Sequence, residues 1–338
     1  MPSPNNNSKR KKRRWTVVSL RTVLIVVTLL CIILGRWVSR WQDQARIAEW
    51  LTEESCYFAY EPWYVNSSSD TPQDLTSTQR LKLWLADQLG PDAVVSVDYV
   101  RVDQQKQLDR VSRLNGIRDL DVWSSAGIDL SAASRLKDLE CLTVTGRFGI
   151  SVLGKLPNLL ELRLSGVKDP TKHLGNFPKL KRLSLDKSIR ISSLEFLNEL
   201  DELEVLSIPD ASGISSVAPL SNCKKLEELV LTRCPASDFS SIDQLRELTD
   251  VALANSRIKS LEPFRKLNRL QSLDVRDTDI DSLEPLSNLI LLNDLRFQRT
   301  AVSDINPLRN LTRLSGDCLL YTSPSPRDQR GSRMPSSA

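Results

Sequence analysis

The chain has 338 residues, of which 40% are hydrophobic and 26% are charged, so it is long enough for one extended folded domain with a leading region. Its net charge of +4 arises at its ends, since residues 1–14 hold six basic residues and no acid, and residues 318–338 hold three basic residues and one acid. Residues 15–317 carry 37 basic against 41 acidic residues, and this mildly acidic body argues against a nucleic-acid-binding face.

The first 14 residues, MPSPNNNSKRKKRR, are polar and densely basic, which predicts a disordered segment. A basic run such as Lys9–Arg14 also occurs in nuclear-localisation signals and in nucleic-acid-binding patches. Here an apolar segment follows it directly. We therefore interpret the basic run as the flank of a membrane segment.

Residues 15–37 are predicted to form a transmembrane signal-anchor helix. Trp15 and Trp37 lie 22 positions apart, a helical length of about 33 Å that is close to the thickness of the hydrocarbon layer. The uncharged run Thr22–Gly35 has 14 residues, and this length also fits the core of a cleaved signal peptide. No small-x-small cleavage site follows the run, so an uncleaved anchor is favoured.

The charges that flank this segment predict its orientation. Six Lys and Arg residues precede it, whereas Arg36, Arg40 and Arg46 follow. By the positive-inside rule, the N-terminus stays in the cytoplasm. We therefore expect a single-pass protein of the cytoplasmic membrane whose repeat domain lies on the extracytoplasmic side.

Residues 38–114 are interpreted as a juxtamembrane helix and an N-terminal cap region. Val38–Glu54 places apolar residues at helical spacing, which predicts a helix that continues out of the membrane. An alternative is that its tryptophans rest on the lipid surface. Leu81–Leu89 predicts a second, short helix that ends before Gly90 and Pro91.

The stretch Cys56–Tyr64, CYFAYEPWY, is the most aromatic part of the chain. It favours a strand in a small N-terminal subdomain, and a ligand platform is the alternative. Val94–Val102 alternates apolar residues and predicts the strand that leads into the next region. A stacked core needs its first layer covered, and residues 55–114 are the material for that cover.

Residues 267–311 contain one 22-residue pattern written twice, LNRLQSLDVRDTDIDSLEPLSN and LILLNDLRFQRTAVSDINPLRN, and the preceding unit from Leu245 fits the same template. Apolar residues recur at three strand positions, which are Leu248, Val251 and Leu253, then Leu270, Leu273 and Val275, then Leu292, Leu295 and Phe297. A fixed period of about 20–30 residues with the pattern L-x-x-L-x-L-x-x-(N/C/T) predicts a leucine-rich-repeat solenoid.

The spacing has a physical meaning, because one unit cannot bury its apolar face alone and neighbouring units must stack. Alternate residues of each short strand point inward, and later apolar residues return along the convex side. Proline recurs at one convex-side position that suits a turn or a first helical residue, at Pro263, Pro285 and Pro307. A small polar residue that can satisfy buried loop backbone recurs at Cys234, Ser256, Thr278 and Thr300.

Less regular units precede these, with strand cores at Ile117, Leu139, Leu159, Leu180, Leu203 and Leu226. We count nine units and a broken tenth at Leu311–Leu314. The sequence thus predicts an α/β leucine-rich-repeat solenoid over residues 115–317. Its parallel strands would form the concave side, and short helical, 3-10 or irregular segments the convex side.

Residues 318–338, CLLYTSPSPRDQRGSRMPSSA, do not follow the apolar spacing of the repeats. They resemble the translation of a transposon-type sequencing-library adapter. We therefore expect the natural chain to be truncated within its tenth unit, with an uncapped core end followed by an artefactual, disordered tail.

The chain resembles bacterial leucine-rich-repeat proteins of the 22-residue type, with convex segments such as Thr278-Asp-Ile280 and Asp304-Ile305-Asn-Pro307-Leu308. Its membrane-proximal start, RTVLIVVTLLC, resembles that of anchored bacterial proteins of this kind. The resemblance covers residues 115–314 and implies the fold. It also implies a binding scaffold, and it carries no catalytic residue over to this chain.

The sequence offers little catalytic chemistry. His173 is the only histidine, and no acidic residue near it in the sequence is placed to orient it. No Walker loop, G-x-G-x-x-G, H-E-x-x-H or C-x-x-C motif occurs. Cys223 and Cys234 could meet across a unit, although buried free thiols are favoured. We expect no enzyme activity, no cofactor and no metal.

The predicted function is therefore to present the concave strand surface to a protein or peptide partner. The strand residues that flank the inward leucines would form that surface, and the candidate partner-binding residues are Trp123, Arg163, Arg182, Asp274, Arg276, Asp294, Arg296 and Gln298. Two alternatives stay open: a structural protein that organises the envelope without a specific ligand, and a repeat module that regulates an enzyme.

Overall fold

The computed structural model describes residues 20–54, 56–60, 76–89, 97–114, 116–125, 127–147, 153–167, 171, 174–186 and 191–314. These residues belong to two compact units. One unit comprises the described parts of residues 1–50 and 67–95, and the other comprises those of residues 51–66 and 96–338. The predicted basic N-terminus over residues 1–14, His173 and the tail over residues 318–338 lie outside the described residues.

The first unit is helical. Helix α1 spans Leu20–Glu53, of which the last residues belong to the second unit, and helix α2 spans Ser77–Leu89. Helix α2 begins four residues before its predicted start because Thr76 and Gln79 cap it. The Gln79 side-chain oxygen accepts from the backbone N–H of Thr76 at 2.9 Å, and the backbone N–H of Gln79 donates to the Thr76 hydroxyl at 3.3 Å. This reciprocal pair is a capping box.

The prediction of a transmembrane helix over residues 15–37 is not supported. Among the helices that the structure describes, none combines the length and the apolar character needed to cross a bilayer. Helix α1 starts at Leu20 and continues through the charged segment after Gly35 to Glu53.

The second unit begins with strand β1, Phe58–Tyr60, which pairs antiparallel with β2, Val97–Val102. Within the predicted aromatic stretch Cys56–Tyr64, Phe58–Tyr60 thus form a strand, and residues 61–64 lie outside the described residues. Helix α3, Gln105–Val111, follows β2 and was not predicted. The Gln107 side-chain oxygen accepts from the backbone N–H of Gln104 at 3.1 Å, which satisfies an N–H group that a helix start leaves without an intrahelical partner.

Within the described residues nine further strands follow, each parallel to the one before, so that β1–β11 lie side by side in sequence order. They are β3 Asp119–Ser124, β4 Cys141–Gly146, β5 Glu161–Ser165, β6 Arg182–Leu185, β7 Val205–Ile208, β8 Glu228–Leu231, β9 Asp250–Ala252, β10 Ser272–Asp274 and β11 Asp294–Arg296. Leu229 pairs in register with Val251, which pairs with Leu273, which pairs with Leu295. The predicted leucine-rich-repeat solenoid is confirmed.

The core consists of the inward strand positions and the apolar residues of the return segments. Leu273 and Val275 are fully buried, as are Ile280, Leu283 and Leu286 on the return path of the same unit. Burying each such side chain contributes about 1.5–3 kcal/mol. Because each unit contributes several, the apolar stack is the main source of stability of the solenoid.

Four of the return segments are short 3-10 helices that have a proline as their second residue, namely Pro219, Pro263, Pro285 and Pro307. A side chain placed just before each of these helices accepts from an early backbone N–H. Examples are the Ser260 hydroxyl, which accepts from Glu262 at 3.2 Å, and the Asp304 carboxylate, which accepts from Asn306 at 2.9 Å. Proline and these caps stop the segment from continuing as a strand.

A left-handed turn closes each late strand, with positive φ angles at Arg233, Asn255, Asp277 and Arg299. The next residue is the small polar one. The hydroxyls of Ser256 and Thr278 each donate at 2.6 Å to the carbonyl of the buried residue that directly follows the strand, Leu253 or Val275. The predicted role of this position is therefore confirmed for these residues.

Candidate partner-binding face

The side of the parallel sheet that faces away from the leucine core is called the sheet face here. Its residues alternate along each strand with the buried leucines. In β3 the outward positions are Asp119, Asp121 and Trp123, and in β5 they include Glu161 and Arg163. Because the strands are in register, equivalent outward residues form rows that cross the sheet at about 4.8 Å per strand.

The predicted partner-binding residues all lie on this side of the sheet, but they form two groups. Trp123, Arg163 and Arg182 lie on β3, β5 and β6. The other five lie on or just after β10 and β11, and they are Asp274, Arg276, Asp294, Arg296 and Gln298. Four strand spacings, about 19 Å, separate β6 from β10. Their role in binding stays a prediction.

The group on β10 and β11 is electrically balanced within each strand. Arg276 donates to Asp274 through Nε at 2.9 Å and through Nη2 at 2.6 Å, and these hydrogen bonds raise the pKa of the Arg276 guanidinium. Arg296 pairs with Asp294 through Nη2 at 2.8 Å. A partner would therefore meet two compact ion pairs rather than free charges, and would have to compete with the internal pairing.

Gln298 differs from the rest of that group. Its side-chain oxygen is buried and accepts no hydrogen bond in the part of the chain that the structure describes. Buried polar atoms normally have a partner. Gln298 is thus the residue of this group whose side-chain oxygen could still accept a hydrogen bond.

Next to the group on β3, β5 and β6 lie outward side chains of β2 that were not among the predicted binding residues. Arg101 of β2 donates through Nε to Asp121 at 2.7 Å, and the Tyr99 hydroxyl donates to the same carboxylate oxygen at 3.2 Å. The Tyr99 ring packs edge-on against Tyr57 at 5.7 Å, and Arg101 lies 6.0 Å from the Tyr57 ring centre. The sheet face therefore extends to β2.

A sequence signal for this extension was present. Tyr99 and Arg101 alternate with Val100 and Val102, as outward and inward residues do in the later strands. From the sequence, Val94–Val102 are predicted only as the strand that leads into the repeats. Parallel pairing of β2 with β3 places its outward residues on the same face.

Asp119 has the most unusual surroundings on the sheet face. Partial burial raises the pKa of its carboxyl to about 6, Arg163 opposes that rise, and the nearby Asp121, Asp98 and Glu161 add to it. The adjacent Cys141 thiol has its pKa raised to about 11, chiefly by burial and then by Asp119 and Glu161. In both groups burial is the largest cause, neighbouring carboxylates add to the rise in pKa, and Arg163 opposes it.

Trp123 is the most prominent apolar feature of the sheet face. Its side chain is 61% exposed, whereas the inward neighbour Val122 is fully buried. Large exposed aromatic side chains are typical energetic anchors of protein interfaces.

Among the described residues, no group of three or more His, Cys, Asp or Glu side chains is placed to hold a metal ion.

Comparison with known proteins shows which fold the chain has. No family model and no curated protein matches the sequence. The chain is similar to an internalin, InlF, from Listeria monocytogenes strain 4b F2365, with 19% identity and a TM-score of 0.53 over 71% of this chain and 80% of that one.

It is also similar to the ectodomain of the plant membrane receptor kinase GASSHO1/SCHENGEN3 from Arabidopsis thaliana, whose structure contains CASPARIAN STRIP INTEGRITY FACTOR 2. The identity is 23% and the TM-score is 0.52, over 64% of this chain and 28% of that one. At such identities both similarities show the fold alone, which is the leucine-rich-repeat solenoid.

Proposed function

We propose that this protein is a non-catalytic binding scaffold whose sheet face holds a protein or peptide partner. The observation that carries the proposal is the in-register parallel sheet β2–β11, which displays its outward side chains in fixed rows around the exposed Trp123. A rigid display of this kind lowers the entropy lost on binding, because the interface is already ordered.

The comparison adds support of a limited kind. The plant ectodomain with the same fold is in complex with CASPARIAN STRIP INTEGRITY FACTOR 2, so this fold can hold another molecule. The single histidine and the lack of a nucleophile–base motif in the sequence support a role without catalysis. Turnover of a substrate by the purified chain, lost on substitution of one residue, would contradict that part of the proposal.

The test compares two exposed apolar residues of similar exposure. Trp123 on the sheet face is 61% exposed, and Ile290 on a loop between β10 and β11 is 65% exposed. The full chain carrying Trp123→Ala or Ile290→Ala would be used to capture partners from the source cell, followed by mass spectrometry. We expect a partner to be retained by the wild type and by Ile290→Ala, and to be lost from Trp123→Ala.

Other outcomes would decide against the proposal. Equal capture by all three proteins would remove the sheet face as the binding site. Self-association without any other partner would favour the structural role instead. Because Trp123 is exposed, its replacement by alanine is expected to leave the urea midpoint almost unchanged, which checks that a loss of capture is not a loss of folding.

We also propose that α1 attaches the protein to the cytoplasmic membrane, with the repeats on the extracytoplasmic side. Nine apolar side chains between Leu24 and Leu34 are 48–66% exposed, and they cover all sides of the helix. A helix that is apolar on every side is unstable in water. Alkaline carbonate extraction of membranes is the test: we expect the wild type in the pellet and the Leu29→Arg, Ile33→Arg double variant in the supernatant.

A further inference from the structure

Asp119, the first residue of β3, is an outward carboxylate whose nearby cation, Arg163, forms its close ion pair with Glu161 instead. In register it lies between Tyr99 of β2 and Cys141 of β4. Among the described residues its carboxylate forms no close ion pair, and Arg163 favours its charge only from a greater distance than it does that of Glu161. Most other charged groups around it on the sheet face do have such a partner.

The nearby cations are engaged elsewhere. Arg101 contacts Asp121 at 2.7 Å and Arg163 contacts Glu161 at 2.5 Å. Arg118 lies 3.7 Å from Asp98 and 4.0 Å from Glu140. Each guanidinium is thus shared with a carboxylate other than Asp119. The negative charge of Asp119 is therefore weakly compensated within the chain.

An ionised carboxylate in this position destabilises the folded state, because partial burial, together with Asp121, Asp98 and Glu161, opposes its charge more than Arg163 favours it. A cation supplied by another molecule would relieve that cost. A cation beside Asp119 would be favoured over an anion or a neutral group by the charge of Asp119 itself, because the neighbouring carboxylates already have arginine partners, and charge complementarity of this kind selects partners.

An apolar anchor lies on the same strand and the same side. Trp123 is four residues from Asp119, about 13 Å along an extended strand. An extended peptide that runs alongside β3 covers the same distance in about four residues. One partner segment can therefore reach both side chains at once.

We propose that the sheet face around Asp119 and Trp123 binds an extended segment of a partner protein, with a lysine or arginine side chain beside Asp119 and an apolar side chain against Trp123. This inference rests on the proposed function and adds the chemistry of the partner. The cation and the apolar side chain lie about four residues apart in the bound segment.

The experiment uses a displayed library of random 12-residue peptides, selected at pH 8 against the purified full chain in detergent. We expect the selected peptides to be enriched in lysine or arginine about four residues from an aromatic or large aliphatic residue. The tightest selected peptide is then synthesised, and its affinity for the variants is measured by calorimetry. A synthetic peptide of residues 1–14 is measured beside it, because that segment of the chain is itself basic.

Asp119→Asn removes the charge and keeps the shape, and Asp119→Glu restores the charge. The matched control is Glu228→Gln, which removes an exposed carboxylate from the same row on β8. We expect Asp119→Asn to weaken binding about tenfold or more, which is the usual loss when a charge-assisted hydrogen bond is removed. Asp119→Glu should recover part of the affinity, and Glu228→Gln should change it less than twofold.

The outcomes separate the inference from the proposed function. Selected peptides that lack basic residues, or that bind Asp119→Asn and wild type equally, would overturn the inference. Loss of the same peptides in Trp123→Ala would still support the proposed function. If no peptide were selected, or if Trp123→Ala bound every peptide normally, both would fail. If the 1–14 peptide bound more tightly than the selected peptide, the surface would be assigned to the chain's own N-terminus. If the chain associated with itself in an Asp119-dependent way, the surface would be assigned to a second copy. Either result would overturn the assignment to a partner protein.

Discussion

Arg299 and Asp277 occupy the same left-handed turn position in neighbouring repeats and form a two-point ion pair. Their φ angles are 58° and 57°, and Arg299 Nη2 donates to Asp277 Oδ2 at 2.5 Å while Nε donates to Oδ1. The pairing holds the pKa of Asp277 below its usual range. Left-handed backbone costs about 1–2 kcal/mol for most residues. Pairing across repeats offsets part of that cost.

The first prediction concerns the same turn position at Asn255, whose φ is 59°. Asparagine tolerates this conformation better than alanine, and glycine adopts it without steric cost. We expect Asn255→Ala to lower the free energy of unfolding by about 1 kcal/mol and Asn255→Gly to change it little. Urea titration followed by circular dichroism measures both. Asn268→Ala, at an exposed site without positive φ, is the control; an equal loss there would contradict the backbone explanation.

The second prediction concerns the buried hydroxyl that follows the turn. Thr278→Val keeps the shape of the side chain but removes the 2.6 Å hydrogen bond to the Val275 carbonyl, and it leaves that carbonyl with one partner fewer. We expect the free energy of unfolding to fall by about 1–3 kcal/mol. Thr145→Val makes the same change on the partly exposed sheet face, where no stability should be lost. Similar urea midpoints for the two variants would argue against the proposed role of the Thr278 hydroxyl.

The third prediction concerns Gly213, which lies close to the preceding repeat. A Cβ atom at this position would lie 2.3 Å from the Ile191 carbonyl oxygen. This oxygen is backbone and cannot rotate away, so Gly213→Ala should destabilise the solenoid by about 1–3 kcal/mol. Ser215→Ala, two residues later at an exposed position, is the matched control. Equal melting temperatures for Gly213→Ala and wild type would show that the two repeats can separate without cost.

The fourth prediction concerns pH. The folded-state pKa of Asp119, about 6, lies above its ordinary value of 3.8, so the folded chain binds more protons than the unfolded chain between these values. Ionisation of Asp119 therefore removes stability as the pH rises from about 4 to about 6. We expect Asp119→Asn to be more stable than wild type at pH 8, by about 1 kcal/mol after allowing for solvent screening.

The same comparison at pH 4 should show a much smaller difference, because both proteins are then largely neutral at this position. Thermal unfolding at the two pH values measures it, with Glu228→Gln as the control for a solvated carboxylate. A constant gap between Asp119→Asn and wild type at both pH values would contradict the assignment of the shift to Asp119.

The sequence predicted the solenoid well because its strongest constraint is local and repeated. Leu273 and Leu295 are 22 residues apart and pair in register, as a shared apolar interior requires. The prolines and the small polar residues were also placed correctly, since their roles depend on nearby backbone alone. These features follow from period and residue type.

Other features depend on contacts that the period does not encode. The start of α2 depends on the reciprocal hydrogen bonds of Thr76 and Gln79, and the start of α3 depends on the Gln107 side chain. An arginine at a left-handed position such as Arg233 carries no signal in the sequence. The isolation of Asp119 follows only from knowing that Arg101 and Arg163 contact other carboxylates.

The constant 22-residue step of β8–β11 makes whole units interchangeable. The backbone N–H groups of Thr249 and Asp250 donate to the Glu227 carbonyl, and those of Gln271 and Ser272 donate to the Thr249 carbonyl in the same way. Deleting one full unit would thus join flanking segments whose bonding groups already match. Such a chain can gain units by duplication or lose them by deletion while the remaining units keep their contacts. The length of the sheet face that it offers to a partner can therefore change during evolution.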